Sequence, residues 1–525
     1  MANIELLIKN GNIITLDDEN NTFDWVAVKD GRIFELGYKD SYKKYDSITE
    51  ILDIDGKTVL PGFYDTHIHL VQTGLNYEGL DLKNINTIEE LLDTVHSAAE
   101  SMKSGELIRG YHYDVTNIKE RRFPTRRELD RVAPSNPVWI NSIEFHTSSV
   151  NSLALSMINL PYNIDGIARD ERNLPLGQFT GKASAFVRNK MLNYLTDDMR
   201  MRGVKKAIQN ALSRGITSIN TMEGGFTFHE KDANFILKNK EVFPIDIRLF
   251  YQTFDLKKIE TYGLDCIGGD IFLDGAFSSR TAAVSTGYKD LKEEKYGLLY
   301  FNQRELDYFV KEAHKNNLQI SLHAIGDLAI EQAISAFESA QNKYKRNNLR
   351  HRIEHFELAT DEQIKRASAL GIVIVVQPVF EKKWGNKNGM YELRLGKDTA
   401  DKTNNFRKWI DEGLVLSGSS DSDVTEINPL EGIHSAVNHP KENFSITPLE
   451  AIKMYTINSA YANYEEKTKG TVEKNKYADL VILESNPLKI DKSDIENIKV
   501  CSTIKQGNII YINDKFELRG DPFNE

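Results

Sequence analysis

Between residues 62 and 417 the chain keeps returning to one pattern, a short apolar run followed by a segment whose apolar residues fall at helical spacing. The runs that read as strands are residues 138–143, 215–220, 245–251, 271–274, 318–323, 352–355, 372–377 and 414–417, with another leading into His67. Between many of them lie helix-like stretches such as TIEELLDTVHSAAESMK, QRELDYFVKEAHKNN and AIEQAISAFESAQNKYK. Strand–helix alternation on this scale predicts a parallel β/α architecture, and the size favours closure into a barrel. The strand candidates exceed eight, so at least one lies outside such a barrel.

The two ends of the chain follow a different rule. ELLIKNGNIITL alternates around Asn10-Gly11 and WVAVKDGRIFELG around Asp30-Gly31, both hairpin signals. ADLVILESN and VCSTIKQGNIIYIN repeat the style at the C-terminus. We therefore expect residues 1–56 and 468–525 to build one small composite β-domain beside a barrel, with insertions, spanning 57–467.

Composition narrows the partners. With 525 residues, a net charge of −11 and no Lys/Arg stripe, nucleic acid is not expected. Two cysteines, Cys266 and Cys501, make no disulfide framework and fit a reducing cytoplasm. No signal peptide or membrane-spanning run is expected. A small-molecule substrate is the expected partner, and self-association is left open.

The chemistry starts at GFYDTHIHL. In a strand, residues i and i+2 point the same way, so His67 and His69 project together from a strand's C-terminal end. Two imidazoles on one face can share a divalent ion. LQISLHAIGD places His323 at another strand end, RIEHFE does so with His355, and LVLSGSSDSD with Asp421. Barrel enzymes keep their chemistry at that end of the strands. One polar residue at a strand end often does no more than meet water. Four histidines and an aspartate in the same register argue for one or two divalent ions, Zn²⁺ first because imidazole suits it. Such a centre activates water and polarises a carbonyl, His323 and His355 belong to the catalytic set, and Asp421 suits a proton shuttle to a leaving nitrogen.

Taken in order, NGNIITLD, VLPGFYDTHIHL, FLDGAFSSRTAA, LHAIGD, RIEHF, VVQPVF, GSSDSDV and ADLVILESNPL make the chain resemble the metal-dependent amidohydrolase superfamily. Within it the resemblance is to amidohydrolase family 3, the branch of N-substituted formamide deformylase-like enzymes, over nearly the whole length. It implies an α/β fold, a distorted (β/α)8 TIM-like barrel with a small β-sandwich from both chain ends. It implies a zinc-type centre with His67, His69, His323, His355 and Asp421 as ligands. Many relatives carry a lysine, a source of a carboxylated bridge, four residues before the Asp of the DG motif; here that position is Asp270. Aspartate is much shorter, so the bridging ligand is left open among Glu223, which ends another strand, Asp270 itself and Lys182. Asp423 stands where a proline is common.

Three residues are expected near the substrate: His146, which follows Phe145 where relatives have glycine; Arg280, whose fork of donors could equally fix a loop; and Gln377, which closes a strand. Asp274 is expected to shape its own turn. The reaction expected is hydrolysis of a non-peptide C–N bond in an amide, formamide or cyclic amide. A deaminase on the same scaffold and an inactive regulatory relative are the competing readings; release of ammonia identifies the first and absence of bound metal the second.

Overall fold

The computed structural model describes residues 4–45, 47–142, 147–225 and 228–515. The chain divides into two units, Met1–Leu70 with Ile208–Glu525, and Val71–Ala207.

Among the described residues of the first unit, eight parallel strands follow in chain order. They are β1 (Phe63–Ile68), β2 (Ile216–Glu223), β3 (Asp246–Tyr251), β4 (Cys266–Ile267), β5 (Gln319–Ala324), β6 (Arg352–His355), β7 (Val373–Val376) and β8 (Val415–Gly418). β1 pairs with β2 and β2 with β3; β4 to β8 pair in chain order. Gly268 N donates to Tyr251 O (3.1 Å) between the ends of β3 and β4, and Asp421 N to His67 O (2.9 Å) beyond the ends of β8 and β1. β7, VIVV, is buried at every position, as a strand covered on both faces must be. The helices between strands start at designed caps: Asn302 with Glu305 for Gln303–Lys315, and Thr360 with Gln363 for Asp361–Ala369.

Residues 271–274 are not a strand. The chain leaves β4 through Gly268 and Gly269, whose φ values of 101° and 66° lie in the left-handed half of the map that glycine alone enters freely. It then lies along the end of β5, where His323 N donates to Ile271 O and Leu273 N to His323 O. This break sets the direction of Asp270.

The terminal strands form two sheets. Ile4–Lys9 pairs with Trp25–Lys29 and with Ile48–Asp53. The other sheet runs Asn508–Ile512, Val500–Lys505, Leu480–Leu483, Thr58–Pro61, Asn12–Ile14 and Thr22–Phe23, so N- and C-terminal strands hydrogen-bond directly and the sheet extends past residue 56. Leu6, Val26, Val59, Leu480 and Ile504 share one apolar core there. Asp30-Gly31 (φ 51° and 68°) closes the expected hairpin. Asn10-Gly11 does not: only Asn10 takes a positive φ, and the strands on its two sides enter different sheets. A tight hairpin turn of the favoured type needs both central residues there.

The second unit has its own sheet, from Leu80–Asp81 through Ile108–Tyr113, Val138–Ser142 and Thr147–Val150 to Pro175–Thr180 and Ile167–Arg169. Its core includes Leu91, Val95, Ile108, Leu129 and Ile140. The strand expected at 138–143 belongs here, which removes it from the parallel set. Among the described residues, no helix is long and apolar enough to cross a membrane.

Candidate metal centre

β1 carries His67 near its end with His69 just beyond it, β5 carries His323 one residue from its end, β6 ends in His355, and the segment after β8 carries Asp421. All five are buried. Their ring nitrogens converge on two carboxylates. Asp421 Oδ1 lies 3.3 Å from Nε2 of both His67 and His69. Asp270 Oδ2 lies 3.4 Å from His69 Nε2, and its Oδ1 lies 3.0 Å from His323 Nδ1 and 3.7 Å from His355 Nε2. Three sets have ligand atoms all within 4.8 Å of one another: His67, His69 and Asp270; His67, His355 and Asp421; and Asp270, His323 and His355.

The outward nitrogen of every ring meets an acceptor. His67 Nδ1 lies 2.6 Å from Glu354 Oε2, His69 Nδ1 3.0 Å from Met222 O, His355 Nδ1 2.7 Å from Gln377 Oε1, and His323 Nε2 3.3 Å from Gly275 O. An acceptor there keeps the proton outside and leaves a lone pair facing in, which is how histidine is oriented towards metals. His67, His69 and His355 therefore present Nε2, and His323 presents Nδ1. His355 (φ 72°) and Asp421 (φ 51°) hold left-handed backbone, strained for residues with a Cβ, and such strain clusters at functional sites.

A divalent cation fits these residues. His67 Nε2 and Asp421 Oδ1 are buried without a hydrogen bond, a costly state unless something else sits between them. The charges agree. Burial opposes a charged His67, yet Asp421 and Glu354 push it up to about 10. Burial likewise opposes an ionised Asp421, but His67 and His69 hold it well below the usual carboxylate range. Pockets that drive protons onto buried imidazoles favour positive charge, and nitrogen with carboxylate oxygen suits Zn²⁺ and its neighbours.

The other expected residues take partners of their own. Glu223, one of the candidate bridges, ends β2 buried, with Oε1 accepting from the Thr221 hydroxyl (2.7 Å), and belongs to none of the three sets. Asp270 is common to two of the three sets. Lys182 is exposed on a helix of the second unit, with Asp165 3.7 Å away. Arg280 directs Nε and Nη2 at Asp290 (3.0 and 2.6 Å), which also receives Arg394, so its fork fixes a loop. Gln377 holds His355. His146 lies outside the described residues. Asp274 does more than shape a turn: it accepts the N–H groups of Ala283, Ile325 and Gly326 at 2.8, 3.0 and 2.8 Å, tying two segments beside His323.

Sequence reasoning missed two residues. Glu354 supports His67 while receiving Arg352 Nε (2.9 Å) and the Ser321 hydroxyl. Asp65 accepts the Ser420 hydroxyl and N–H (2.5 and 3.0 Å), pinning β1 to the segment that bears Asp421. Each left a signal: Asp65 shares the i, i+2 face of His67 and His69, and Arg352 with Glu354 puts two charges on one face of a strand buried throughout.

A sequence profile of the amidohydrolase family matches residues 50–511. The chain is 28% identical to a Bacillus subtilis (strain 168) protein named as an amidohydrolase, YtcJ, over 95% of this chain and 98% of that one. It is 26% identical to the N-substituted formamide deformylase of Arthrobacter pascens, over 97% and 98%. A crystal structure of an uncharacterized metal-dependent hydrolase from Pyrococcus furiosus aligns with a TM-score of 0.78 at 26% identity, covering 92% of this chain and 100% of that one. The chain belongs to the amidohydrolase family. It is accordingly a metal-dependent hydrolase acting on carbon–nitrogen bonds.

Proposed function

We propose that the protein hydrolyses a non-peptide C–N bond in a small amide, formamide or cyclic amide. His67, His69, His323, His355, Asp270 and Asp421 hold one or two divalent ions, Zn²⁺ first. The observation that carries this reading is the convergence of four lone-pair nitrogens on two buried carboxylates. The similarity to an N-substituted formamide deformylase supports the choice of bond.

A bound divalent ion supplies water acidified towards neutral pH and a Lewis acid for the scissile carbonyl. The chain supplies the rest. Asp421 takes a proton as water adds to the carbonyl carbon. It returns that proton to the nitrogen as the C–N bond breaks, leaving an amine and a carboxylic acid, which gives its remaining proton to solvent. Asp270 is the carboxylate common to two of the three sets, so it, rather than Glu223 or Lys182, is the bridging ligand if two ions bind.

The architecture follows the same reading. β1 to β8 form a distorted eight-stranded barrel, supported by the hydrogen bonds that link β3 to β4 and β8 to β1. The terminal strands form a composite β-domain, supported by the sheet that N- and C-terminal strands share. Two buried free cysteines suit a cytoplasmic enzyme. Metal analysis followed by a screen of formamides, N-acyl amines, cyclic amides and hydantoins tests the function; turnover that releases ammonia alone would favour a deaminase.

A further inference from the structure

The four histidines are held from outside by acceptors of two kinds. Glu354, Met222 O and Gly275 O face His67, His69 and His323; an ionised carboxylate and backbone carbonyls offer lone pairs only, so the ring nitrogen opposite each must carry the proton. Gln377 is different. An amide offers an acceptor at one end and a donor at the other, and either end fills the same space. Its contact with His355 Nδ1 defines the ring only if something defines the amide.

Ser419 supplies that definition. Its hydroxyl donates to Val376 O (3.0 Å) and accepts from Gln377 Nε2 (3.0 Å), which leaves Oε1 facing the imidazole. The three side chains belong to buried residues. Val376 and Gly418 are paired in the β7–β8 ladder, so Gln377 and Ser419 are the next residues on adjacent strand ends. Turning the amide over would take the Ser419 hydroxyl off Val376. It would also direct a ring N–H of His355 towards Asp270 Oδ1, 3.7 Å from Nε2. That arrangement removes the lone pair from the set formed by Asp270, His323 and His355.

We propose that Ser419 and Gln377 act together as a tautomer lock. They are positioning residues that keep the proton of His355 on Nδ1 and its Nε2 lone pair facing Asp270. The inference rests on the metal centre proposed above and deepens it: metal affinity depends on a serine that donates to a backbone carbonyl and touches no ligand atom. Ser419 is the first serine of the SSDSD stretch that supplies Asp421, so one short segment delivers a ligand and orients another.

The test is zinc titration of metal-stripped protein against a chromogenic chelator, with thermal melts to confirm folding. Gln377→Met keeps the length but loses both polar ends, and should weaken zinc binding by about 10–100-fold, the usual cost of losing such a partner. Gln377→Glu offers an acceptor whichever way it turns, and should bind close to wild type. Ser419→Ala should weaken binding in the wild-type background and add nothing in the Gln377→Glu background. Gln377→Glu binding as weakly as Gln377→Met, or Ser419→Ala costing the same in both backgrounds, would overturn the lock and leave a packing role. If Gln377→Met does not fold, the two Ser419→Ala measurements decide alone. Wild-type protein that takes up no zinc would overturn the metal reading itself, whereas Gln377→Met binding as tightly as wild type would overturn only the lock.

Discussion

Asp270 faces two histidines from different strand sets: Oδ1 lies 3.0 Å from His323 Nδ1 on β5, and Oδ2 lies 3.4 Å from Nε2 of His69, which directly follows β1. One short side chain thus reaches histidines borne by both sets of strands. It reaches because the backbone, released by Gly268 and Gly269, comes to it.

This position makes a prediction about assembly. A carboxylated lysine needs dissolved carbon dioxide to form; an aspartate does not. Zinc uptake by metal-stripped protein should be the same with bicarbonate present or rigorously removed, and Asp270→Ala should lower zinc per chain. Uptake that requires bicarbonate would move the bridge to a lysine.

Asp421→Asn should preserve the fold and most of the metal, because the amide keeps a ligating oxygen and nearly the same volume. It cannot carry a proton between water and nitrogen. Once a substrate is in hand, turnover should fall by about 10²–10⁴-fold, the usual contribution of general acid–base catalysis. His434→Asn is the control: that ring faces Glu496 at 3.4 Å on a helix remote in role from the centre, and its loss should leave turnover near wild type.

Glu354 carries two duties, and its loss should show in two readouts. Glu354→Gln weakens the hold on His67 and removes the charge opposite Arg352, whose residue is fully buried. Zinc affinity should fall by about 10–100-fold. Unfolding free energy in urea should fall by about 3 kcal/mol, the scale for stranding a buried partner. Unchanged stability would show that Arg352 finds another partner.

A second histidine pair predicts a pH effect on stability. His351 Nε2 meets His314 Nδ1 at 3.0 Å; His351 Nδ1 accepts the Ile320 N–H and His314 Nε2 lies 2.7 Å from Tyr344 O, so both rings are neutral and satisfied. Burial, with His314 and Arg346 adding to it, holds His351 well below the ordinary histidine value. The unfolded chain takes up this proton near pH 6.5 while the folded chain refuses it. Stability from His351 is therefore complete above about pH 6.5 and is lost as pH falls below it, by up to about 1.4 kcal/mol per pH unit. Urea unfolding at pH 7.5 and 5.5 should show this loss, and His351→Gln should reduce it. An identical pH dependence in the variant would assign the effect to other groups.

The residues that converge at the centre were legible wherever the backbone was regular. The two-residue period of β1 sufficed to put His67 and His69 on one face, and strand ends were enough for His323, His355 and Asp421. Asp270 was discounted for its short side chain, because no local pattern shows that the paired glycines turn the backbone and bring the carboxylate to the histidines. The partners of Arg280 and Gln377 were not legible for another reason. Those partners, Asp290 and His355, are set by tertiary packing that no local pattern encodes. The Asn10-Gly11 step shows the same limit: its dipeptide favours a hairpin, but its two strands find better partners in separate sheets.

The central claim is that the four histidines and two aspartates hold a divalent ion. Anomalous diffraction at the zinc edge, from crystals grown with zinc, tests it most directly. The account predicts one or two peaks enclosed by His67, His69, His323, His355, Asp270 and Asp421, at about 2.0–2.1 Å from the inward histidine nitrogens. Ordered side chains with no peak among them, or zinc bound only elsewhere on the chain, would contradict it.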